Sequence, residues 1–132
     1  MQALQPMPSL DALPYWAGLQ AGRLLIQRCR ACGQHRHYPR PMCPACQSFE
    51  LDWVPISGRG AVHSWTVVHQ SALPGLADQL PFTLVTIDLP EGVRLLARMP
   101  GDAGACLQAG AAIQVTAGTD TTGAPLVQCH RD

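Results

Sequence analysis

The chain has 132 residues, with nine arginines, no lysine and nine acidic residues, so its formal net charge is zero. A chain of this length fits one domain, or a small appendage beside one compact domain, and can fold without disulfides. The composition excludes lysine Schiff-base chemistry, and no apolar run is long enough to cross a bilayer as a helix.

Residues 1–9 are rich in proline and glutamine and predict a poorly ordered tail. Met1–Pro6 has neither the charged nor the apolar region of a secretory leader. Together with cysteines in metal spacing, this predicts a cytoplasmic, reducing setting. Leu13–Ala21 reads as a short helix: Pro14 suits the first turn, Asp11 lies ahead as a cap, and Gly22 fits the position just past the end. Leu13, Trp16 and Leu19 recur at helical spacing, with Tyr15 beside them. So short a helix, with Gly18 inside it, must dock on something. It can dock on the chain's own core or on another subunit; in the second case Tyr15 and Trp16 make the contact.

Leu24–Ile26 predicts a strand leading into the decisive pattern, Cys29-x-x-Cys32 and, after ten intervening residues, Cys43-x-x-Cys46. Two residues between cysteines let both sulfurs reach one metal, and two such pairs make a tetrahedral four-thiolate cage for zinc, with iron as the other metal thiolates accept. A closed site of this kind is structural, because no coordination position stays open for water or substrate. Gly33 and Pro44 suit the tight turns of the two knuckles. Arg36–Pro41 holds too much proline for regular structure, and Leu51–Ile56 leads out of the ribbon. From Ala12 to Phe49 there is no acidic residue, yet Arg23, Arg28, Arg30, Arg36 and Arg40 all fall there. They either balance the formal charge of about −2 on a zinc with four thiolates or form a basic surface for a phosphate-bearing ligand or acidic partner.

From Gly58 the pattern is all β. Ala61–His69 alternates, placing Val62, Ser64, Thr66 and Val68 on one face and His63, Trp65 and Val67 on the other. Phe82–Leu89 and Val93–Met99 form a hairpin about Pro90-Glu91-Gly92, followed by strands Ala112–Ala117 and Leu126–Cys129 around a turn at Gly118–Pro125. Five short strands predict a small Greek-key barrel such as an OB-fold, with a sandwich fragment as runner-up. Gly58-Arg59-Gly60 reads as a turn, and Gly60 and Gly110 as barrel corners. The connection Gln70–Pro81 carries Leu73, Leu76 and Leu80 at helical spacing, either as a lid over the barrel end or as a surface for a partner. The fold class is thus mainly β, in three parts: tail and short helix at 1–22, zinc ribbon at 23–56, barrel at 57–132.

No catalytic constellation is legible. There is no phosphate-binding glycine loop and no nucleophile elbow. His63 and His69 lie about 20 Å apart along a strand and belong to its surface. His35 and His37 stand beside a complete ligand set, which predicts surface positions or hydrogen bonds behind the ligands. Cys106 and Cys129 fall outside the metal spacing and predict small buried side chains. The barrel region has four arginines against six acids and only Trp65 and Phe82 as aromatics, a poor footprint for single-stranded nucleic acid.

The ordered run Pro14-Tyr15-Trp16-Ala17-Gly18-Leu19, Gln27-Arg28-Cys29-x-x-Cys32-Gly33, Tyr38-Pro39-Arg40-Pro41-x-Cys43-Pro44-x-Cys46, Trp53, Gly58-Arg59-Gly60, Val62–His69, Pro81 and Glu91-Gly92 resembles the family that joins a rubredoxin-like zinc ribbon to an OB-fold. The resemblance implies a small accessory subunit of acyl-CoA metabolism, without catalytic residues of its own. It implies a partner of the thiolase fold (a thiolase, acyltransferase or aldolase) or a hot-dog-fold hydratase, whose active site the subunit completes while it guides a CoA thioester. The C-terminal strand Leu126–Arg131 departs from the family's aromatic-basic ending. On this reading Arg36, Arg40 and Arg59 face the CoA phosphates, and Tyr15, Trp16, Leu73 and Leu76 face the partner. A free-standing acyl-CoA- or lipid-binding module is the alternative.

Overall fold

The structure, a computed structural model, describes residues 9–72, 76–119 and 123–131; Leu73 and most of the N-terminal tail lie outside them. A 3-10 turn, Leu10–Ala12, leads into the helix α1, Leu13–Gln20. Asp11 does not cap it: the residue sits inside the 3-10 turn, and neither element has a side-chain cap. Gly22 ends the segment at a φ of +81°, the left-handed conformation glycine adopts without strain. Gly18 has a packing role. A Cβ there would stand 3.1 Å from both the Arg23 carbonyl oxygen and Leu25 Cδ1, so the glycine that weakens the helix also lets it approach the first strand.

The ribbon is a three-stranded antiparallel sheet in the order β2-β1-β3, with β1 at Leu25–Cys29, β2 at His35–Arg36 and β3 at Leu51–Pro55. The inter-knuckle segment therefore holds a short strand where its prolines predict none: His35 and Arg36 pair with Arg28 and Gln27 before the prolines begin.

Five strands close the barrel in the order β4-β5-β6-β8-β7. They are β4 at Arg59–Val68, β5 at Phe82–Asp88, β6 at Arg94–Pro100, β7 at Ala112–Thr119 and β8 at Pro125–Arg131. Arg59 and Gly60 are strand rather than turn, paired with Gln114 and Ile113. The expected alternation along β4 breaks between Val62 and Ser64, which face the consecutive residues Ile87 and Thr86. His63 is the extra residue of a bulge. Val62 stays inside, and beyond the bulge Trp65 takes up the core side that Ser64 and Thr66 were expected to share with it.

Ribbon and barrel share one core. Ile26 of β1 is buried with Val85, Ile87 and Ile113 of the barrel, and Leu24 and Val54 pack against the same cluster. The barrel has one thin seam. β6 and β8 run parallel and meet at the single Cα pair Arg98–Gln128. Beside it the Leu96 N–H donates to the Tyr38 hydroxyl at 3.1 Å, so a ribbon side chain satisfies a barrel amide there. Among the described residues, no helix is long and apolar enough to cross a membrane.

Candidate functional site

Two knuckles of the same design bring the cysteines together. The Gly33 N–H donates to the Cys29 carbonyl, and the Gln47 N–H to the Cys43 carbonyl. In return the Cys29 N–H donates to Gln34 and the Cys43 N–H to Ser48. Gly33 and Gln47 occupy equivalent positions, with φ of +80° and +66°; Gln47 thus holds a conformation that favours glycine. The four Sγ atoms lie within 4.8 Å of one another. Cys29–Cys46 is 3.5 Å and Cys32–Cys43 is 3.7 Å, near the roughly 3.8 Å that Zn–S bonds of about 2.3 Å give in a tetrahedron. The backbone N–H of Cys32, with further help from Cys46 and Ala31, holds the Cys29 thiol down at about 6. The Cys46 N–H lowers Cys43 in the same way. Four soft sulfur donors gathered within one tetrahedron's reach, two of them (Cys29 and Cys43) held towards thiolate by backbone N–H groups, fit a zinc ion. Cys29, Cys32, Cys43 and Cys46 would hold it, and its contribution there is a cross-link that fixes the ribbon.

Behind the knuckles a buried polar network ties the ribbon together. Gln27 Oε1 accepts from Arg36 Nε at 2.7 Å and from the Arg40 N–H at 2.9 Å, and Arg36 Nη2 donates to the Arg40 carbonyl at 3.0 Å. Gln27 and Arg36 are both buried. Arg36 is therefore an interior guanidinium, and Arg40 an exposed one fixed by its backbone. With His35 and Arg94 they line a cleft of about 580 Å³ between the ribbon and the β5–β6 turn. Arg94 was not singled out by sequence; its place depends on the hairpin register that sets it opposite Asp88. Arg59 is not among the residues lining this cleft; it sits at the start of β4, exposed.

His37 differs from the expectation of a surface or hydrogen-bonded ring. Its centroid lies 4.0 Å from that of Tyr38 and 5.3 Å from that of Tyr15, and neither ring nitrogen has a partner. Burial lowers its pKa to about 4. Burial also pushes the Tyr15 hydroxyl up, with a smaller contribution from Tyr38. Tyr15 is thus an inward-facing residue, while Trp16 is half-buried on the rim. Tyr15, Trp16, Leu19 and Tyr38 form one wall of an apolar groove of about 520 Å³, and Leu96 and Leu126 beside the seam form the other. Leu76 is half-buried just before the 3-10 turn Ala77–Gln79.

Of the two remaining cysteines, Cys129 is buried and burial pushes its thiol up to about 12. Cys106 is exposed, contrary to expectation, because it closes the 3-10 turn Gly104–Cys106 and leaves the inward position to Leu107. His63, projected by the bulge, faces Asp88 at 3.4 Å.

Comparison with known proteins places these features in a family. Residues 16–52 match the family described as "ChsH2, rubredoxin-like zinc ribbon domain", and residues 53–117 match "ChsH2, C-terminal OB-fold domain". The chain belongs to the ChsH2 zinc-ribbon/OB-fold family. It is 30% identical over 122 residues to the "Benzoylsuccinyl-CoA thiolase subunit BbsA" of Thauera aromatica, covering 89% of this chain and 81% of that one. It is 38% identical over 102 residues to a "Probable enoyl-CoA hydratase alpha subunit" of Thermomonospora curvata, covering 76% of this chain but only 31% of the relative. Among solved structures it resembles a chain of the "Ltp2-ChsH2(DUF35) aldolase", with a TM-score of 0.82, 31% identity, and coverage of 95% of this chain and 97% of that chain. The chain spans about a third of the length of the hydratase subunits it matches.

Proposed function

We propose that the chain is a non-catalytic accessory subunit of an acyl-CoA-processing complex. In this reading its partner is a thiolase-fold enzyme whose active site it helps complete and whose CoA thioester it helps guide. The observation that carries it is the extent of the likeness, which covers 81% of a protein named as a thiolase subunit and 97% of a chain of a named aldolase. A hot-dog-fold hydratase is the second partner class, since the hydratase subunits are matched over about a third of their length. Zinc in the four-cysteine site holds the ribbon in shape. Arg36, Arg40 and Arg59 supply positive charge towards the CoA phosphates. Trp16, backed by Tyr15, faces the partner together with Leu76; Leu73, the remaining residue of that set, lies outside the described residues.

A free-standing acyl-CoA- or lipid-binding module is the alternative. The apolar groove beside the seam favours it, because about 520 Å³ lies within the usual range for small-ligand sites. A tagged copy purified from its own host at moderate salt separates the two. Stoichiometric recovery of a thiolase-like or hydratase-like protein is the expected result. Recovery of the chain alone, free of nucleic acid and able to bind acyl-CoA, would transfer the assignment to the alternative; co-purified nucleic acid would overturn both.

A further inference from the structure

Four buried side-chain polar atoms lack a hydrogen-bond partner among the described residues: Arg36 Nη1, both ring nitrogens of His37, and Glu91 Oε1. Three of them belong to residues lining the cleft between the ribbon and the β5–β6 turn. A buried polar group without a partner is costly, and folded proteins rarely leave one so.

Arg36 is the sharper case because it carries a full charge. It is only 5% exposed, and its hydrogen bonds go to two neutral oxygens, the Gln27 side chain and the Arg40 carbonyl. Buried charges are ordinarily matched by opposite charge. The one carboxylate lining the cleft, Asp88, is bound to Arg94 Nε and faces His63. Three guanidinium groups thus meet a single, occupied carboxylate. The Arg40 side chain makes no bond among the described residues, and Arg94 bonds Asp88 through Nε, with no bond from its Nη groups among the described residues.

We propose that this cleft is a phosphate-binding site and that its ligand is a phosphate ester of CoA. The choice of CoA rests on the accessory-subunit reading; the phosphate site itself does not. Arg40 and the Nη groups of Arg94 meet the phosphate oxygens, since a planar guanidinium offers paired donors that match them. Arg36 adds its charge from within the wall, and its bond to the Arg40 carbonyl, with that of Gln27 to the Arg40 N–H, fixes the backbone that carries the outer arginine. Neutralisation of the thiolate cluster is the competing use of these charges, and it predicts no affinity for an added anion.

The test is titration of the zinc-loaded full chain, by calorimetry and NMR, with inorganic phosphate, CoA, dephospho-CoA and pantetheine. Phosphate and CoA bind, more weakly as salt rises, and pantetheine does not. Arg40→Gln and Arg94→Gln each weaken both ligands about five- to tenfold, as expected for a lost hydrogen bond to a charged group, while the exposed Arg23→Gln changes neither. Arg36 is left intact, because its removal would take away one of the two hydrogen bonds that hold the buried Gln27 oxygen and the bond to the Arg40 carbonyl. No binding of phosphate or CoA at millimolar concentration, or unchanged affinity in both variants, overturns the proposal. Phosphate binding that depends on Arg40 and Arg94, with CoA no tighter than phosphate, keeps the site and overturns CoA as its occupant. Partner capture by the same variants is scored separately, so a failure of the accessory-subunit reading shows there and not in the titration.

Discussion

His37 sits between Tyr15 and Tyr38 with no partner for either ring nitrogen. Burial keeps it neutral, with a pKa of about 4 against about 6.5 in an unfolded chain. Between those values the unfolded state binds more protons. The stabilising effect of the neutral ring is complete above about pH 6.5 and is lost as pH falls towards 4. His37→Phe keeps a ring in place and removes the titration. Around pH 5 the native chain should lose about 1 kcal/mol more per pH unit than the variant, measured by urea unfolding of metal-loaded protein. Protonation of the zinc thiolates affects both proteins alike, so the difference isolates His37; parallel pH profiles would refute this account. The residue was not legible as buried, because its neighbours Arg36, Tyr38 and Pro39 mark a surface loop. Its burial is imposed by α1, which comes from another part of the chain. The cysteines were legible for the opposite reason: each pair needs only local spacing.

Element-scale behaviour turns on β4. The run Ala61–His69 alternates well enough to predict a strand, but nothing within it marks His63 as the residue that steps out. That choice depends on pairing with β5, where Val62 and Ser64 face adjacent residues. Gly60, two residues before Val62, has an ordinary φ and a packing function. A Cβ there would stand 2.5 Å from Ile87 Cγ2 and 2.8 Å from the Asp88 carbonyl oxygen. Gly60→Ala must therefore push β4 away from β5 or rotate a fully buried isoleucine, at a cost of about 1–3 kcal/mol. Gly92→Ala is the comparison: its φ is +88° and open space surrounds it, so only backbone strain of about 1 kcal/mol applies. Chemical unfolding of the two variants should rank them in that order, and equal losses would show that the β4–β5 contact yields freely.

For the whole molecule, the zinc ribbon and the barrel were readable as units, while their union was not. Ile26 lies three residues before the first metal ligand, yet it is 2% exposed inside the barrel cluster. The Tyr38 hydroxyl serves the Leu96 amide 58 residues away. No local pattern announces contacts of that range. They predict that metal loss will not stay local. Chelation, or Cys29→Ser, should speed hydrogen exchange at Leu96 and lower the unfolding temperature of the barrel strands as well as the ribbon. A barrel whose protection survives loss of the metal would show the two parts to be energetically independent.

The same seam bears on the order of events during synthesis. The ribbon's widest strand pairing joins Leu25 to Pro55, whereas closing the barrel needs Arg59 beside Gln114 and Arg98 beside Gln128. Nearby contacts form sooner than distant ones. A nascent chain can therefore capture its metal and set the ribbon while the last strands are still unmade, so that Tyr38 waits as a finished doorpost for the barrel strand that later arrives at Leu96.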